Sequence, residues 1–184
     1  MKYGTDITLM TEARRQDLTT RYPTETQVRA RFALLADVVE ARGPALFDMD
    51  SWVGDSNVAP RTWCGTQGCI AGTAAYLMVD LGLIGRQVPM AELADMALPR
   101  AVEWLDLKVG YSKYFYSDQW PENVRDWVTY EAGYSSDRPD ADSSGDVYDY
   151  DVGRWQVAIA ILRLRSMGGE PDELTVNMLN GVQS

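Results

Sequence analysis

A glycine-rich turn between two cysteines is the segment whose residue types most readily support chemistry. Cys64 and Cys69 flank residues 65–68, and an apolar stretch follows directly. If a helix begins here, its free backbone N–H groups and its dipole favour an anion or a thiolate. This arrangement predicts a site for a nucleotide or metabolite at residues 66–70. The candidate ligand-binding residues are Thr66, Gln67, Gly68 and Cys69.

Two features of the same turn favour a plainer interpretation. It contains no Lys or Arg, and its spacing is not that of a phosphate-binding P-loop. The cysteines are separated by four residues rather than the two of a thioredoxin-like redox pair. The alternative is therefore that Cys64 and Cys69 are small buried residues at a tightly packed helix start.

An acidic stretch at residues 140–151 matches the twelve-position loop of calcium-binding proteins. Oxygen donors occupy positions one, three and five, glycine occupies position six, and a carboxylate occupies the last position, so the chain could wrap hard oxygens around one ion. The predicted calcium ligands are Asp140, Asp142, Ser144, Asp146 and Asp151. Against this, Pro139 shortens any entering helix, and the closing aspartate is shorter than the usual glutamate. The alternative is a solvated acidic loop, 133–151, inserted between two helices.

An aromatic-rich segment, residues 110–121, could line a groove or a partner surface. Tyr114, Tyr116 and Trp120 lie in it without clear periodicity. Aromatic side chains dominate the energetics of interfaces, but they are equally common in cores. We include these three residues in the predicted ligand site and keep core packing as the alternative.

The absence of histidine narrows the catalytic possibilities. Among 184 residues there is no histidine and there are two cysteines. A Ser–His–Asp or Cys–His nucleophile cannot be assembled, and a zinc site would lack imidazole ligands. Carboxylate pairs remain available among the 27 acidic residues, yet no pair is distinguished by its spacing. These observations favour a protein that is not an enzyme.

The charge of the chain points away from nucleic acid. The formal net charge is −10, and residues 121–151 carry nine acidic residues against two arginines. Such a surface repels phosphate backbones, so we do not expect direct nucleic-acid binding. No apolar run approaches the roughly 18 residues that span a bilayer. We expect a cytoplasmic protein without membrane association.

Helical periodicity and breaker residues define the elements that would position these sites. The strongest pattern begins at Thr24, which with Gln27 forms a capping box, and ends at Gly43-Pro44. Gly68, Gly72 and Ala75 give a second helix a small-residue face for close packing. The predicted helices cover 5–20, 24–42, 67–82, 89–96, 99–105, 121–130, 152–166 and 171–179.

These patterns predict an all-α fold. The expected architecture is one irregular multi-helix domain, 1–184, built around the buried Gly/Ala-rich helix at about 67–82. Residues 1–23 could form an N-terminal appendage, and 133–151 could form the acidic loop insertion.

Three segments occur in an order that resembles a known family. Residues 47–52 read F-D-M-x-x-W, and residues 64–72 read C-G-T-x-x-C-I-A-G. The third segment has L-D-L at residues 105–107 and F-Y-x-x-x-W-P at residues 115–121. In these segments the chain resembles a family of small, uncharacterised proteins of bacteriophages and bacteria. The resemblance implies a phage or bacterial setting and implies no reaction.

Three functions follow as hypotheses. The first is a non-enzymatic acidic binding protein, a phage-type accessory factor that engages a host or bacterial protein. The second is a small-ligand binder that sequesters a nucleotide or metabolite at residues 66–70. The third is a calcium-binding loop protein, in which Ca²⁺ at 140–151 would be the one bound ion.

Overall fold

Helix α2 forms where the sequence carries its clearest start and stop signals. It spans Glu25–Arg42. The Thr24 hydroxyl accepts a hydrogen bond from the Gln27 N–H, and Gln27 Oε1 accepts one from the Thr24 N–H at 2.8 Å. Gly43, with φ of 74°, ends the helix in a conformation that glycine adopts without strain. The predicted capping box and the predicted stop are both confirmed.

The computed structural model describes residues 10–44, 47, 69–107, 111–130 and 146–180. Within these ranges the chain forms helices and turns and no strand, which confirms the predicted all-α class. Besides α2, the helices are α1 (Glu12–Thr19), α3 (Ile70–Asp80), α4 (Met90–Trp104), α5 (Ser112–Phe115), α6 (Glu122–Tyr130), α7 (Asp146–Met167) and α8 (Val176–Asn180). Single 3₁₀ turns at Ser117–Gln119 and Pro171–Glu173 precede α6 and α8.

Helix α3 is the central element of the fold, as its composition predicts. Every residue from Ile70 to Val79 is buried. Helices α2, α4 and α5 all contact it. Small residues such as Ala71 and Ala75 have no exposed surface, so neighbouring helices approach the backbone closely. The helix is shorter than the predicted 67–82, because Cys69 caps its start and a turn through Gly82 follows its end.

The prediction of two helices around Pro99 is wrong. The structure has a single helix, α4, with Pro99 in its interior. Proline removes one backbone N–H and normally breaks a helix, but Pro99 is on the exposed side of α4, where water can solvate the carbonyl left without that donor. Burial of Leu93, Ala97 and Trp104 on the opposite side holds both halves together.

Helix α7 begins earlier than predicted and pairs with α2. It starts at Asp146 rather than at residue 152, so the last six residues of the predicted loop 133–151 are helical. Acidic residues in a first turn suit the positive end of the helix dipole. The pairing with α2 is the most extensive contact between described helices. The Trp155 indole N–H donates to the Val39 carbonyl at 2.8 Å within it.

Helix α1 joins the core through a buried arginine. Leu18 of α1 is buried, and its carbonyl accepts a hydrogen bond from the Trp104 indole N–H at 2.8 Å. Arg31 of α2, 1% exposed, donates to the carbonyls of Thr20 and Trp104. Burial lowers the pKa of Arg31, and the nearby Asp106 carboxylate raises it. Arg31 thereby connects α2 to α4 and to the end of α1 through hydrogen bonds.

Candidate functional site

The predicted ligand site at the start of α3 is described from Cys69 onwards. Cys69 is the residue before the first helical turn and is buried. Its carbonyl accepts the Thr73 N–H at 2.9 Å, as a first helical hydrogen bond requires. Thr66, Gln67, Gly68 and the second cysteine, Cys64, lie outside the described residues, so the predicted amide site stays a prediction.

Cys69 and two polar residues of α3 lie on the same side of the helix. Thr73 and Tyr76 lie four and seven residues after Cys69, so the three side chains share a face. Thr73 is 1% exposed, and its Oγ1 has no hydrogen-bond partner within the part of the chain that the structure describes. The guanidinium of Arg42 lies 5.3 Å from the centre of the Tyr76 ring. A buried hydroxyl without a partner could bind a water molecule or a polar ligand atom.

The aromatic segment divides between core and surface. Tyr114 and Trp120 are buried, whereas Tyr116 is 37% exposed. The Tyr114 hydroxyl donates to Glu170 Oε2 at 2.9 Å, and its ring lies 5.4 Å from that of Phe32. Burial, with the Glu170 carboxylate as a second cause, raises the pKa of Tyr114. The Trp120 indole N–H is buried and, within the described residues, has no acceptor.

Helices α3 and α5, which carry residues of the predicted ligand site, are in contact, but the Tyr114 side chain packs against other elements. Helix α5, which carries Tyr114, contacts α3. The Tyr114 side chain, however, is engaged by Phe32 of α2 and by Glu170 after α7. The ligand-binding role of Tyr114, Tyr116 and Trp120 therefore stays a prediction.

The calcium pattern is only partly described. Asp140, Asp142 and Ser144 lie outside the described residues, while Asp146 and Asp151 belong to α7. The second half of the twelve-position pattern is thus helical from its seventh position. In the ranges that the structure describes, no group of three acidic or cysteine residues could hold a metal ion. Calcium binding at 140–151 stays a prediction.

The carboxyl group of Glu25 is held in its charged form by two arginines. Hydrogen bonds from Arg165 and then from Arg29 lower its pKa. Arg165 Nη1 lies 2.8 Å from Glu25 Oε1. A catalytic acid at neutral pH requires a raised pKa, so Glu25 is a structural ion-pair partner.

Sequence reasoning missed an acidic row on the outer face of α4. Glu92, Asp95, Glu103 and Asp106 are all exposed. Glu92, Asp95 and Glu103 lie along one side of the helix, at spacings of three and eight residues with Pro99 between, and Asp106 follows just after the helix ends at Trp104. We call these four residues the acidic face. The spacing of these acidic residues is visible in the sequence, but the prediction of two separate helices, 89–96 and 99–105, placed them on different elements.

Two arginines compensate part of the charge of the acidic face: Arg100 of α4 beside Glu103, and Arg31 of α2 near Asp106. Residues 90–106 contain one basic residue, Arg100, which lies 2.9 Å from Glu103. Glu92 and Asp95 form no ion pair with any described residue. Pro99 cannot donate to the Asp95 carbonyl, so a backbone acceptor is added in the middle of the row. The C-terminal end of the helix dipole adds negative potential near Glu103 and Asp106.

An apolar edge lies beside the acidic face. Leu98 and Val102 are half-buried and pack against the core, and Ala91, two turns before Leu98, is exposed. We call these three residues the apolar edge. The most extensive contact of α4 is with α3, and Glu92, Asp95 and Pro99 on its outer side are exposed. The outer side of α4 therefore combines carboxylates with accessible apolar surface.

Within the described ranges, no helix is both long enough and apolar enough to cross a lipid bilayer. Comparison of the chain with protein-family models, with curated proteins and with solved structures yields no match.

Proposed function

We propose that this chain is a non-enzymatic acidic binding protein that engages a basic surface of a host or bacterial protein, in the manner of a phage-type accessory factor. The observation that supports this proposal is the acidic face of α4. Three exposed carboxylates on α4 and a fourth, Asp106, just after it concentrate a negative field there, which Arg100 beside Glu103 and Arg31 near Asp106 compensate in part. Such a field steers a basic partner into contact and fixes its orientation.

Charge reversal on α4 tests the proposal. The double variant Glu92→Lys with Asp95→Lys changes the charge of the acidic face and leaves the core untouched. The matched control is Glu122→Lys with Asp126→Lys, two exposed residues on α6 with similar spacing. Tagged protein is used to capture partners from a bacterial lysate at low and high salt. We expect salt-sensitive capture by the parent and the α6 variant and loss of capture by the α4 variant.

The opposite results would reject the proposal. If both variants capture the same proteins as the parent, the acidic face does not contribute to binding. If capture by the parent does not weaken with salt, electrostatic attraction is not its cause.

A second candidate function is the binding of a nucleotide or metabolite at the start of α3. It is favoured by the Thr73 hydroxyl, which is buried one turn from Cys69 without a described partner. A ligand present at a hundred times its dissociation constant should stabilise the fold by about 2.7 kcal/mol. A thermal-shift panel of nucleotides and metabolites without a stabilising compound would reject this candidate.

A further inference from the structure

We infer that the outer side of α4 is a docking surface for a basic amphipathic helix of the partner. This inference rests on the proposed function and adds the shape of the element that binds. Two observations carry it together: Glu92, Asp95 and Glu103 of the acidic face run side by side with the apolar edge along α4.

The length of the surface fits a helical partner. Helix α4 has 15 residues, which corresponds to about 22 Å of surface at 1.5 Å per residue. A partner helix of about four turns would cover this length. Its apolar stripe would pack against Leu98 and Val102, and lysine or arginine residues beside that stripe would reach Glu92, Asp95 and Glu103.

Backbone chemistry favours a helix over an extended segment. An extended segment must pair its own N–H and C=O groups, and an edge strand usually supplies the partners. The outer side of α4 offers one such group, the Asp95 carbonyl that Pro99 cannot bond. A helix satisfies its backbone internally, so that carbonyl is left for a lysine or arginine side chain.

Charge excludes the other simple occupants. A second copy of the chain would bring one acidic face against another, which like charges oppose. Nucleic acid and anionic lipid carry the same sign as the acidic face. A basic helix provides both complementary charge and complementary apolar area.

Two synthetic peptides of identical composition test the inference. One places lysines on one side and leucines on the other side of an 18-residue helix, a length of about five turns. The second has the same residues in scrambled order, so it keeps the charge and loses the amphipathic pattern. Binding is measured by fluorescence anisotropy at two salt concentrations. We expect the amphipathic peptide to bind at least about tenfold more tightly than the scrambled peptide.

Variants of α4 separate the two contributions. Leu98→Ser should bring the affinity for the amphipathic peptide down to that for the scrambled peptide, and should leave the scrambled peptide unaffected. Val102→Thr keeps the branched shape of the side chain but adds a hydroxyl to the apolar edge, and it serves as a second, milder variant if Leu98→Ser lowers stability. The double lysine variant of Glu92 and Asp95 should weaken both peptides, and the α6 control should weaken neither.

The possible failures are distinguishable. Equal affinity of both peptides, with the α4 lysine variant still weakening them, would overturn the helix inference and leave the proposed function standing. Equal affinity of the α4 and α6 lysine variants for both peptides would overturn the proposed function as well. Chain dimerisation abolished by Leu98→Ser would identify a second copy as the occupant and overturn the inference.

Discussion

Replacement of Arg31 by methionine should destabilise the protein far more than replacement of a surface arginine on the same helix. The Arg31 guanidinium is buried and donates to the carbonyls of Thr20 and Trp104. Hydrogen bonds from a charged donor contribute about 1.5–3 kcal/mol each. Methionine fills much of the same volume but leaves both carbonyls without their donor. Burial of the charge itself is unfavourable, and its removal offsets part of the loss.

The net effect can be estimated from these contributions. The variant loses two hydrogen bonds, and it no longer has to bury a charge. Together these changes should lower the free energy of unfolding by about 3 kcal/mol. For a chain of this size, that corresponds to a fall in Tm of roughly 6–12 °C. Arg31→Lys should have a free energy of unfolding between those of the parent and Arg31→Met. A single ammonium group lacks the fork geometry with which arginine reaches both carbonyls.

Urea unfolding followed by tryptophan fluorescence measures the effect, and Arg29→Met provides the matched control. Arg29 lies on the same helix, has a side chain that is 43% exposed, and forms a surface ion pair with Glu25 at 3.0 Å. Exposed pairs of this kind contribute at most about 1 kcal/mol. If Arg31→Met shifts the urea midpoint no more than Arg29→Met does, Arg31 does not hold the three helices together.

Three further perturbations have defined outcomes. Burial and the Glu170 carboxylate raise the pKa of Tyr114, so its contribution to stability is complete below the unfolded pKa of about 10 and is lost as the pH rises above it. Tyr114→Phe should flatten the alkaline fall in urea midpoint, and an unchanged pH profile would contradict this. Thr73→Val removes a buried hydroxyl without a described partner and should stabilise the fold by about 1 kcal/mol in urea unfolding, whereas a loss would reveal a hydrogen bond to that hydroxyl. Ala75→Leu should overpack the α3 interface and cost roughly 1–3 kcal/mol in the same assay, while Ala91→Leu on the exposed side of α4 should change little.

The strongest local signals predicted the fold well. The capping box at Thr24 and the glycine at Gly43 act within a few residues, so α2 could be located from sequence alone. The charge-free stretch after Cys69 could become only a buried helix in an all-α chain, and α3 is one. Composition and periodicity were sufficient because local preference and burial agree at these positions.

Misplaced boundaries arose where tertiary packing overrides local preference. Pro99 disfavours a helix locally, yet buried residues on both sides of it keep α4 continuous. The polar composition of residues 146–151 suggested a loop, although acidic side chains are favourable at a helix start.

Parts of the candidate sites were beyond sequence reasoning for a different reason. Nothing in the spacing of Arg31 reveals that its guanidinium meets Trp104, because the two residues lie far apart in the chain. The acidic face could have been predicted from helical spacing, but only if residues 90–104 had been predicted to form one helix. The predicted ligand contacts Tyr114 and Trp120 showed no periodicity that could assign them to the interior, where both lie.

The pairing of α2 with α7 has a consequence for the order of events during synthesis. These helices are separated by roughly 100 residues, so their contact closes a large loop, with an entropic penalty that grows with loop length. A nascent chain that ends before Asp146 has made α2 but lacks the helix that covers it. We expect such a chain to expose the apolar stripe of α2 to the ribosome surface and to chaperones, and to reach its native topology only late in translation.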